Sequence, residues 1–418
     1  MKGMKSNSLL AMAWRNLWRN RRRTILTLSS IAFGVFLAIL FTAMQDQNWA
    51  DTIDLAARLG GGHVTLQHPE YLETPTLTRT VQNTEELVQK AVEDRQIIRA
   101  VPRVVGQVML STADESQGAS FVAIEPERED TSTFSILEAL VEGELLETTD
   151  DKGIILGIGL AKTLGASMGG RVVYTLTDIN GEIVSGLARL SGVIRTGSPG
   201  IDRGLCILSM GTVQKVLGYQ NDEATQVVVF VSDQRKSEQV ALRLQAKVGN
   251  KVASHPWFEI QTELAGLIAM KVGGARFMEI LIAVLVAAGI FNTFFVSVME
   301  RLREFGILIA IGFSPGRLFS LVMLESFWMA VLGLVAAALV TAGPYYYLST
   351  QGIDWSSLLG AETLEVAGIA MPTTMRVGIF LEHAITIIVF ALLATLASGI
   401  YPAWRAGRVE PVETIRLV

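Results

Sequence analysis

The segment ERLREFGILIAIGFSPGRLFSLVML, residues 300–324, decides the fold, because it is a short charged stretch with glycines between two long apolar runs. Such a stretch predicts a tight loop at one face of a membrane. Arg301, Arg303 and Arg317 indicate which face, since basic residues near the ends of spanning helices are retained on the cytoplasmic side. We therefore predict that this loop is cytoplasmic.

Within this loop the apolar residues recur at helical spacing. Leu302, Phe305, Ile309 and Phe313 are three or four positions apart, while charged residues and glycine flank or interrupt the stripe. The pattern predicts a short amphipathic helix lying across the inner face of the membrane. A solvated turn with charged anchors would have the same spacing, so the residues alone leave both interpretations open.

The composition places the chain among membrane proteins. Of its 418 residues 50% are hydrophobic and only 18% are charged, which is too apolar for an ordinary soluble protein. Acidic residues outnumber basic ones between residues 45 and 276, and the reverse holds elsewhere. The middle of the chain is thus predicted to be an acidic soluble body. The single cysteine, Cys206, excludes an intramolecular disulfide and is expected to be a small buried side chain.

Four apolar stretches are near the roughly 20 residues that a 30 Å hydrocarbon core requires. They are residues 24–44, 277–299, 318–342 and 377–401, the last closed by Pro402. Residues 1–23 predict an amphipathic interfacial helix whose final arginines mark the cytoplasmic end of the first span. Alternation then places the 300–317 loop and the 402–418 tail inside, and the 45–276 body and the 343–376 loop outside.

Polar residues inside the spans are few. Glu325 lies two turns into the third span, where we expect it to pair with Arg317 or with the loop arginines. Gly289, Asn292 and Thr293 in the second span are suited to close helix packing and an interhelical hydrogen bond. A proton relay would need several ionisable groups at mid-depth, which the spans lack.

The 45–276 body has the pattern of a mixed α/β domain. The dipeptide Asn180-Gly181 between two alternating runs predicts a hairpin. A helix is predicted from about residue 83, with Asn83 or Thr84 as its N-cap. From Trp257 onward the helical pattern continues into the second span, which predicts a stalk that carries the body.

The sequence contains no catalytic signature. Residues 157–163, GIGLAKT, resemble a phosphate loop, but Ala161 stands where that motif requires glycine, so we interpret the segment as a strand-to-helix turn. The four histidines have no metal-ligand spacing with one another. We predict that the chain itself binds no metal or cofactor and is not an enzyme. A nucleic-acid-binding role for the basic N-terminus is not expected beside a membrane span.

Three segments carry a family resemblance: AWRNLWRNRRRTILTLSSIAFGV (13–35), RLREFGILIAIGFSPGRLFSLVMLES (301–326) and YPAWRAGRVEPVETIR (401–416). They resemble the hallmark segments of the MacB/FtsX-type ABC transporter permeases, in the same order. The external run ILGIGLAKTLGASMGGRVVYTL (155–176) is also similar to that family, although Gly170 stands where an acidic residue is common. The resemblance implies four transmembrane helices with a large extracytoplasmic α/β domain between the first two, in the bacterial inner membrane, with both termini cytoplasmic.

The resemblance also implies partners. A second permease, identical or different, and two copies of a cytoplasmic ATPase that binds ATP and Mg²⁺ would complete the transporter. The loop helix would be the coupling helix on the ATPase, with Glu304 pairing with an ATPase cation, Phe305 filling a groove and Gly306 allowing close approach. Arg301, Arg303, Ile309 and Arg317 would complete the coupling site, with Glu325 as a charge-pair member in the membrane.

The segment GGGHVTLQHPEYLE (60–73) resembles the lipoprotein-releasing branch of the family. This implies that lipoproteins or other lipophilic cargo leave the outer leaflet through an apolar cavity between the first and second spans of paired subunits, toward a periplasmic carrier. The tail is equally typical of macrolide-exporter permeases, so efflux with a periplasmic adaptor stays open. A non-transporting regulator of a cell-wall hydrolase, or a plain receptor, is the alternative from another class.

Overall fold

The computed structural model describes residues 6–356, 363–366 and 369–408. It divides into a membrane unit and a soluble unit. The membrane unit is Met1–Asn48, Met270–Asp354 and Thr374–Val418, and the soluble unit is Trp49–Ala269 with Trp355–Thr373. The first residues of the predicted interfacial helix, part of the 343–376 loop and most of the 402–418 tail lie outside the described residues.

The helices, in chain order, are α1 (Ser6–Arg19), α2 (Arg21–Leu59), α3 (Thr84–Val92), α4 (Ile158–Thr163), α5 (Pro199–Gly204), α6 (Met210–Leu217), α7 (Ser237–Val248), α8 (Trp257–Ile260), α9 (Thr262–Met299), α10 (Leu302–Ala310), α11 (Pro315–Thr350) and α12 (Leu381–Gly407). Among the described residues, α2, α9, α11 and α12 are long and apolar enough to cross a membrane. These helices contain the first three predicted spans and, from Leu381 onward, most of the fourth.

Two of the predicted span ends differ from the structure. Helix α11 continues through Pro344 to Thr350, and α12 continues through Pro402 to Gly407. Pro402, predicted to close the last span, therefore does not end its helix. A proline costs a helix only one hydrogen bond and local crowding, which packing against neighbouring helices offsets. Here Ala403 and Ala406, directly after the proline, are fully buried in an apolar cluster that also contains Leu318.

Glycines allow helices of the membrane unit to approach closely at some points but not at the one predicted. A Cβ on Gly333 of α11 would lie 2.6 Å from the Ile31 Cγ2 atom of α2, so these helices are in contact there. A Cβ on Gly289 of α9 would meet nothing within 4 Å. The Thr293 hydroxyl donates to the Gly289 carbonyl of its own helix, at 2.9 Å. The close packing predicted around Gly289 is thus not made within the described part of this chain.

The strands are β1 (Val64–Gln67), β2 (Val81–Gln82), β3 (Ile97–Ser111), β4 (Ser116–Ile124), β5 (Leu140–Gly143), β6 (Gly153–Gly157), β7 (Arg171–Thr177), β8 (Ile183–Ile194), β9 (Leu205–Ser209), β10 (Glu223–Ala224), β11 (Gln226–Val231), β12 (Ala253–Pro256), β13 (Ile353–Asp354), β14 (Thr363–Val366), β15 (Ile369–Pro372) and β16 (Thr374–Met375). Most belong to one sheet in the soluble unit, ordered β12-β1-β11-β3-β4-β9-β6-β8-β5, with β7 pairing with both β3 and β8. The long strand β3 pairs with β11 near its start and with β4 and β7 further along. It therefore joins the two halves of the sheet.

Several local predictions for the soluble unit are confirmed. Strands β7 and β8 form the predicted hairpin, with Gly181 at φ +80° in its turn. Residues 157–163 are the end of β6 followed directly by α4, as predicted for a strand-to-helix turn. Cys206 is fully buried on β9, and this burial raises the pKa of its thiol well above the usual range.

Asn83, one of the two predicted alternatives, stands at the N-cap of α3, but its side chain makes no capping hydrogen bond. Instead the Asp222 carboxylate accepts from the backbone N–H of Glu85, at 3.0 Å, and from the Thr84 hydroxyl. The acceptor that satisfies the start of this helix thus comes from a residue far along the chain, which local sequence does not reveal.

A buried ion pair lies inside the soluble unit. Arg103 on β3 donates to both carboxylate oxygens of Glu129, at 2.7 and 3.0 Å, and both side chains are 0% exposed. The same guanidinium donates to the carbonyls of Gly60, at the end of α2, and Thr133. Its charge is therefore paired and four of its five N–H groups donate hydrogen bonds, which is what makes a buried cation tolerable.

Candidate functional site

The loop between α9 and α11 contains the predicted helix, α10. Its end has the hydrogen bonds of a Schellman motif, because Phe313 N–H donates to Leu308 and Gly312 N–H donates to Ile309, both at 2.9 Å. Gly312 has φ +98°, a conformation that glycine adopts at little cost. Pro315 then begins α11, where its missing N–H costs nothing. The GFSP sequence thus explains the tight turn, and the solvated-turn interpretation is wrong for residues Leu302–Ala310.

Helix α10 buries the residues that were expected to face a partner. Phe305 is fully buried and Gly306 is also buried. The role predicted for Phe305, filling a groove on the ATPase, is therefore wrong, and the buried Gly306 offers no surface for close approach. The apolar stripe packs on this chain's own membrane helices, in a cluster with Leu318 and Ala403.

The solvent-exposed face of α10 is formed by residues that lie outside the buried apolar stripe. Arg303, Ile307 and Ala310 are exposed at helical spacing, and Ile311 directly after the helix is 69% exposed. Ile309 is only partly exposed. The surface that this helix offers to a partner is therefore a basic residue beside two isoleucines.

Glu325 is a buried carboxylate at the centre of a polar network. Its Oε2 atom lies 2.7 Å from Nη1 of Arg301, and its Oε1 atom accepts from the Asn16 amide at 2.7 Å. The sequence predicted that Glu325 pairs with Arg317 or with one of the loop arginines, and the structure shows the pair with Arg301, a loop arginine. Arg317 is exposed and makes no ion pair with any residue that the structure describes. The Arg301 guanidinium also lies 5.1 Å from the ring centroid of Phe305, within cation–π range.

Glu304 extends the network to the N-terminal helix α1. Its carboxylate accepts from Arg19 of α1 and lies 3.3 Å from Arg301. Although partial burial opposes ionisation, these hydrogen bonds from Arg19 and Arg301 hold the pKa of Glu304 below its usual value. A second ion pair joins Arg23 to Glu300. The carboxylate that was expected to meet an ATPase cation is thus already paired within the chain.

Sequence reasoning did not predict that α1 belongs to this site. It placed the N-terminal arginines among lipid headgroups, whereas Asn16, Arg19 and Arg23 border a polar cavity of about 240 Å³ together with Glu304 and Glu325. The available signal was the three-residue spacing of Asn16 and Arg19, which puts both on one face of α1, while Arg23 lies just after the start of α2. These contacts link α1, α10 and α11.

A second cavity, of about 240 Å³, lies between α2, α9 and α12. Its walls are almost wholly apolar and include Gly34 and Ala38 of α2, Ala283 of α9, and Ala391 and Ala394 of α12. At one end of it, the Thr42 hydroxyl donates to Glu279 at 3.0 Å. The cavity expected from the resemblance lay between the first and second spans of paired subunits, whereas this one lies within a single chain and the fourth span supplies one of its walls.

Beyond that end of the cavity, Asp46 joins α2 to the start of α12. Its carboxylate lies 2.8 Å from Nδ1 of His383 and accepts from the Phe380 backbone N–H at 3.0 Å. Asp46 is 5% exposed. The N-terminus of helix α12 thus lies next to the Asp46 carboxylate, whose negative charge is favourable at the positive end of the helix dipole.

Comparison with known proteins identifies the family. Residues 24–247 match the family model of the MacB-like periplasmic core domain, more than half of the chain, and residues 276–411 match that of the FtsX-like permease C-terminal domain. The chain belongs to the MacB/FtsX-type ABC transporter permeases. The four apolar helices and the α/β domain between the first two of them agree with the predicted fold of this family.

Individual relatives of this permease include transporters with different cargoes. It is 25% identical over 344 residues to the lipoprotein-releasing system transmembrane protein LolC of Xylella fastidiosa, covering 78% of this chain and 79% of the relative. It is 20% identical over 443 residues to LolE of Haemophilus influenzae, covering 98% and 99%. It is 31% identical over 128 residues to the macrolide export protein MacB of Syntrophobacter fumaroxidans, covering 31% and 15%.

Among solved structures, the extracellular domain of the transporter YknZ aligns with 46% of this permease and 98% of that chain, at 12% identity and a TM-score of 0.33.

From its family, this protein is an ABC transporter permease of the LolC/MacB type in the inner membrane, and it works with an ABC ATPase.

Proposed function

We propose that this permease couples ATP hydrolysis by two copies of a separate cytoplasmic ATPase to motion of its extracytoplasmic domain. Its cargo is a lipoprotein, or another molecule with acyl chains, taken from the outer leaflet of the inner membrane and passed to a periplasmic carrier. Both termini and the α10 loop lie in the cytoplasm. ATP and Mg²⁺ bind to the ATPase, and this chain holds no cofactor of its own.

The apolar cavity between α2, α9 and α12 carries the proposal for the cargo. Its volume of about 240 Å³ exceeds the roughly 150 Å³ at which an apolar protein cavity stays dry and accepts a hydrocarbon. Each methylene of an acyl chain buried there contributes about 0.8 kcal/mol. The Thr42 and Glu279 pair at one end offers polar groups to the linkage at the head of the chain. A polar or charged cargo finds few partners in these walls.

The exposed face of α10 carries the proposal for coupling. Arg303, Ile307 and Ile311 dock on the ATPase, with the isoleucines buried in the interface and the arginine paired with an acidic residue at its rim. Arg301 and Glu304 act behind this face, because they hold α10 to α11 and α1. A displacement of α10 is then transmitted to the membrane helices through buried contacts rather than through a flexible loop.

The cargo proposal is tested with the complex of this permease and its ATPase in lipid, by measuring ATP hydrolysis with and without a triacylated lipoprotein. Ala394→Trp fills the cavity and is expected to abolish the stimulation while leaving basal hydrolysis unchanged. Ala397→Trp is the matched control, since Ala397 is on the same helix but exposed and outside the cavity. Stimulation by a macrolide with an adaptor, or by a cell-wall hydrolase, in place of lipoprotein would instead support the alternative roles.

The docking face is tested by co-purification of the ATPase. Ile307→Asp is expected to abolish it, because an aspartate cannot be buried unpaired in the interface. Leu242→Asp in the soluble unit is the control, since Leu242 is 68% exposed and the substitution is the same in kind. Retention of the ATPase by Ile307→Asp would contradict this assignment of the face. Arg317→Glu tests whether the face extends to the start of α11.

A further inference from the structure

Glu279 is the one charged side chain among the described residues that line the apolar cavity between α2, α9 and α12. Its carboxylate accepts a hydrogen bond from the Thr42 hydroxyl, at 3.0 Å, and makes no ion pair with any residue that the structure describes. Thr42 is 6% exposed, so the donor that holds the carboxylate is itself buried. A carboxylate has about four acceptor sites, and this one therefore lacks most of its partners.

The basic side chains near Glu279 do not neutralise it. Arg276, one turn earlier on α9, is exposed and makes no ion pair with it. His383 is paired with Asp46 at 2.8 Å, and Asp46 also accepts from the Phe380 N–H, so both of these groups already have their partners. A carboxylate beside hydrocarbon is costly to bury unless a cation joins it. The group that the cavity lacks is thus a cation, which the described chain does not supply.

The cavity has the shape of a site for an amphiphile with its head at Glu279. Along α2 its lining residues run from Thr42 to Ile31, about 16 Å at the rise of an α-helix. Away from the Thr42 end the lining is apolar except for Thr386, whose hydroxyl donates to the Glu382 carbonyl of its own helix at 2.8 Å. In the proposed topology Glu279 lies near the outer end of its span. Hydrocarbon therefore fits inside the membrane, with a cation at its outer end.

We propose that Glu279 selects cargo that has a free ammonium group at the head of its acyl chains, which in a lipoprotein is the α-amino group of a diacylated N-terminal cysteine. This deepens the proposed function and rests on it. Acylation of that amine gives a neutral amide, which does not neutralise the carboxylate, so a triacylated lipoprotein binds more weakly. An aminophospholipid also has an ammonium group, but its phosphate brings a second negative charge towards Glu279.

Two synthetic lipopeptides test this with the complex of the permease and its ATPase in phosphatidylglycerol vesicles. Both have two acyl chains on an N-terminal cysteine, and they differ only in that one has a free α-amino group and the other an N-acetyl group. The free amine is expected to stimulate ATP hydrolysis at about tenfold lower concentration. This is the low end of the range for a hydrogen bond between charged groups, because Glu279 is partly exposed. Equal half-maximal concentrations for the wild-type complex would overturn the proposal.

The role of Glu279 is tested by Glu279→Gln, which keeps an acceptor for Thr42 and removes the charge. This variant is expected to raise the half-maximal concentration for the free amine to that for the N-acetyl peptide. Glu382→Gln is the matched control and should keep the preference, because Glu382 is an exposed carboxylate on α12 that does not line the cavity. A preference that survives Glu279→Gln, or that Glu382→Gln removes equally, would refute the assignment to Glu279.

Addition of phosphatidylethanolamine to the vesicles distinguishes a lipid from a lipoprotein as the source of the ammonium group. The preference for the free amine is expected to persist. Stimulation by phosphatidylethanolamine alone, lost in Glu279→Gln, would instead assign the site to a lipid headgroup and overturn the lipoprotein assignment. If neither lipopeptide stimulates hydrolysis, the proposed cargo is refuted, whereas equal stimulation by both refutes only the selectivity, so the two failures are distinguishable.

Discussion

Glu325 is the residue whose replacement should most disturb the membrane unit. The substitution Glu325→Leu removes the carboxylate that lies 2.7 Å from Arg301 and also accepts from Asn16. Removing one partner of a buried ion pair typically costs 3–5 kcal/mol. Because the Arg301 side chain is 15% exposed and keeps Glu304 at 3.3 Å, we expect the low end of that range, about 3 kcal/mol.

The measurement is thermal unfolding of the purified permease in detergent, followed by tryptophan fluorescence. At about 2–4 °C per kcal/mol for a unit of this size, Glu325→Leu should lower Tm by roughly 6–12 °C. Glu300→Leu is the control, because Glu300 is 56% exposed in its pair with Arg23, and exposed pairs contribute at most about 1 kcal/mol. The double variant Arg301→Met/Glu325→Leu removes both charges and should recover most of the lost stability.

Two results would refute this reasoning. One is a Glu325→Leu protein that melts within 2 °C of wild type, which would mean that water already screens the pair. The other is a double variant whose Tm is as low as the sum of the two single losses, which would mean that the two charges do not interact. The same variants also report on coupling, since a loosened α10 should lower stimulated ATP hydrolysis before it lowers ATPase binding.

Three further predictions concern stability. Glu129→Leu should destabilise the soluble unit by about 3–5 kcal/mol by leaving Arg103 buried and unpaired, which chemical denaturation of the full chain would detect. Hydrogen bonds from Ser132, opposed in part by burial, lower the pKa of Asp130 to about 2, below its unfolded value of roughly 3.9. Its contribution to stability is thus present above pH 4 and lost as the pH falls towards 2, so Asp130→Asn should flatten the fall of Tm in that window, and unchanged slopes would contradict this. Gly333→Leu should cost about 1–3 kcal/mol because α11 meets α2 there, whereas Gly343→Leu, with open space around it, should cost less than that.

Local patterns predicted the elements of this fold well, because each depends on residues close together in the chain. The four spans follow from hydropathy, the β7–β8 hairpin from Asn180-Gly181, and helix α10 from the spacing of Leu302, Phe305 and Ile309. Pro402 was expected to close the last span, but its helix continues to Gly407, since the rule that proline ends a helix ignores the packing that holds Ala403 and Ala406.

The candidate site was predicted only in part. The sequence identified the loop and its charged residues, but a stripe at helical spacing shows that one face is apolar without showing what covers it. Phe305 was therefore assigned to a partner, whereas this chain's own helices bury it. The network at Glu325 needed Asn16 and Arg301, and the start of α3 needed Asp222, each far from its partner in sequence.

The amino-acid sequence by itself determined the number and order of the spans, the α/β character of the body between the first two, and the family. Hydropathy and short motifs act locally, so they need no tertiary contact. Only the tertiary structure decided which face of α10 is free, which cation pairs with Glu325, and that Glu279 has no cationic partner within the described chain. Those depend on which surfaces meet, because burial and charge pairing are properties of contacts between distant segments.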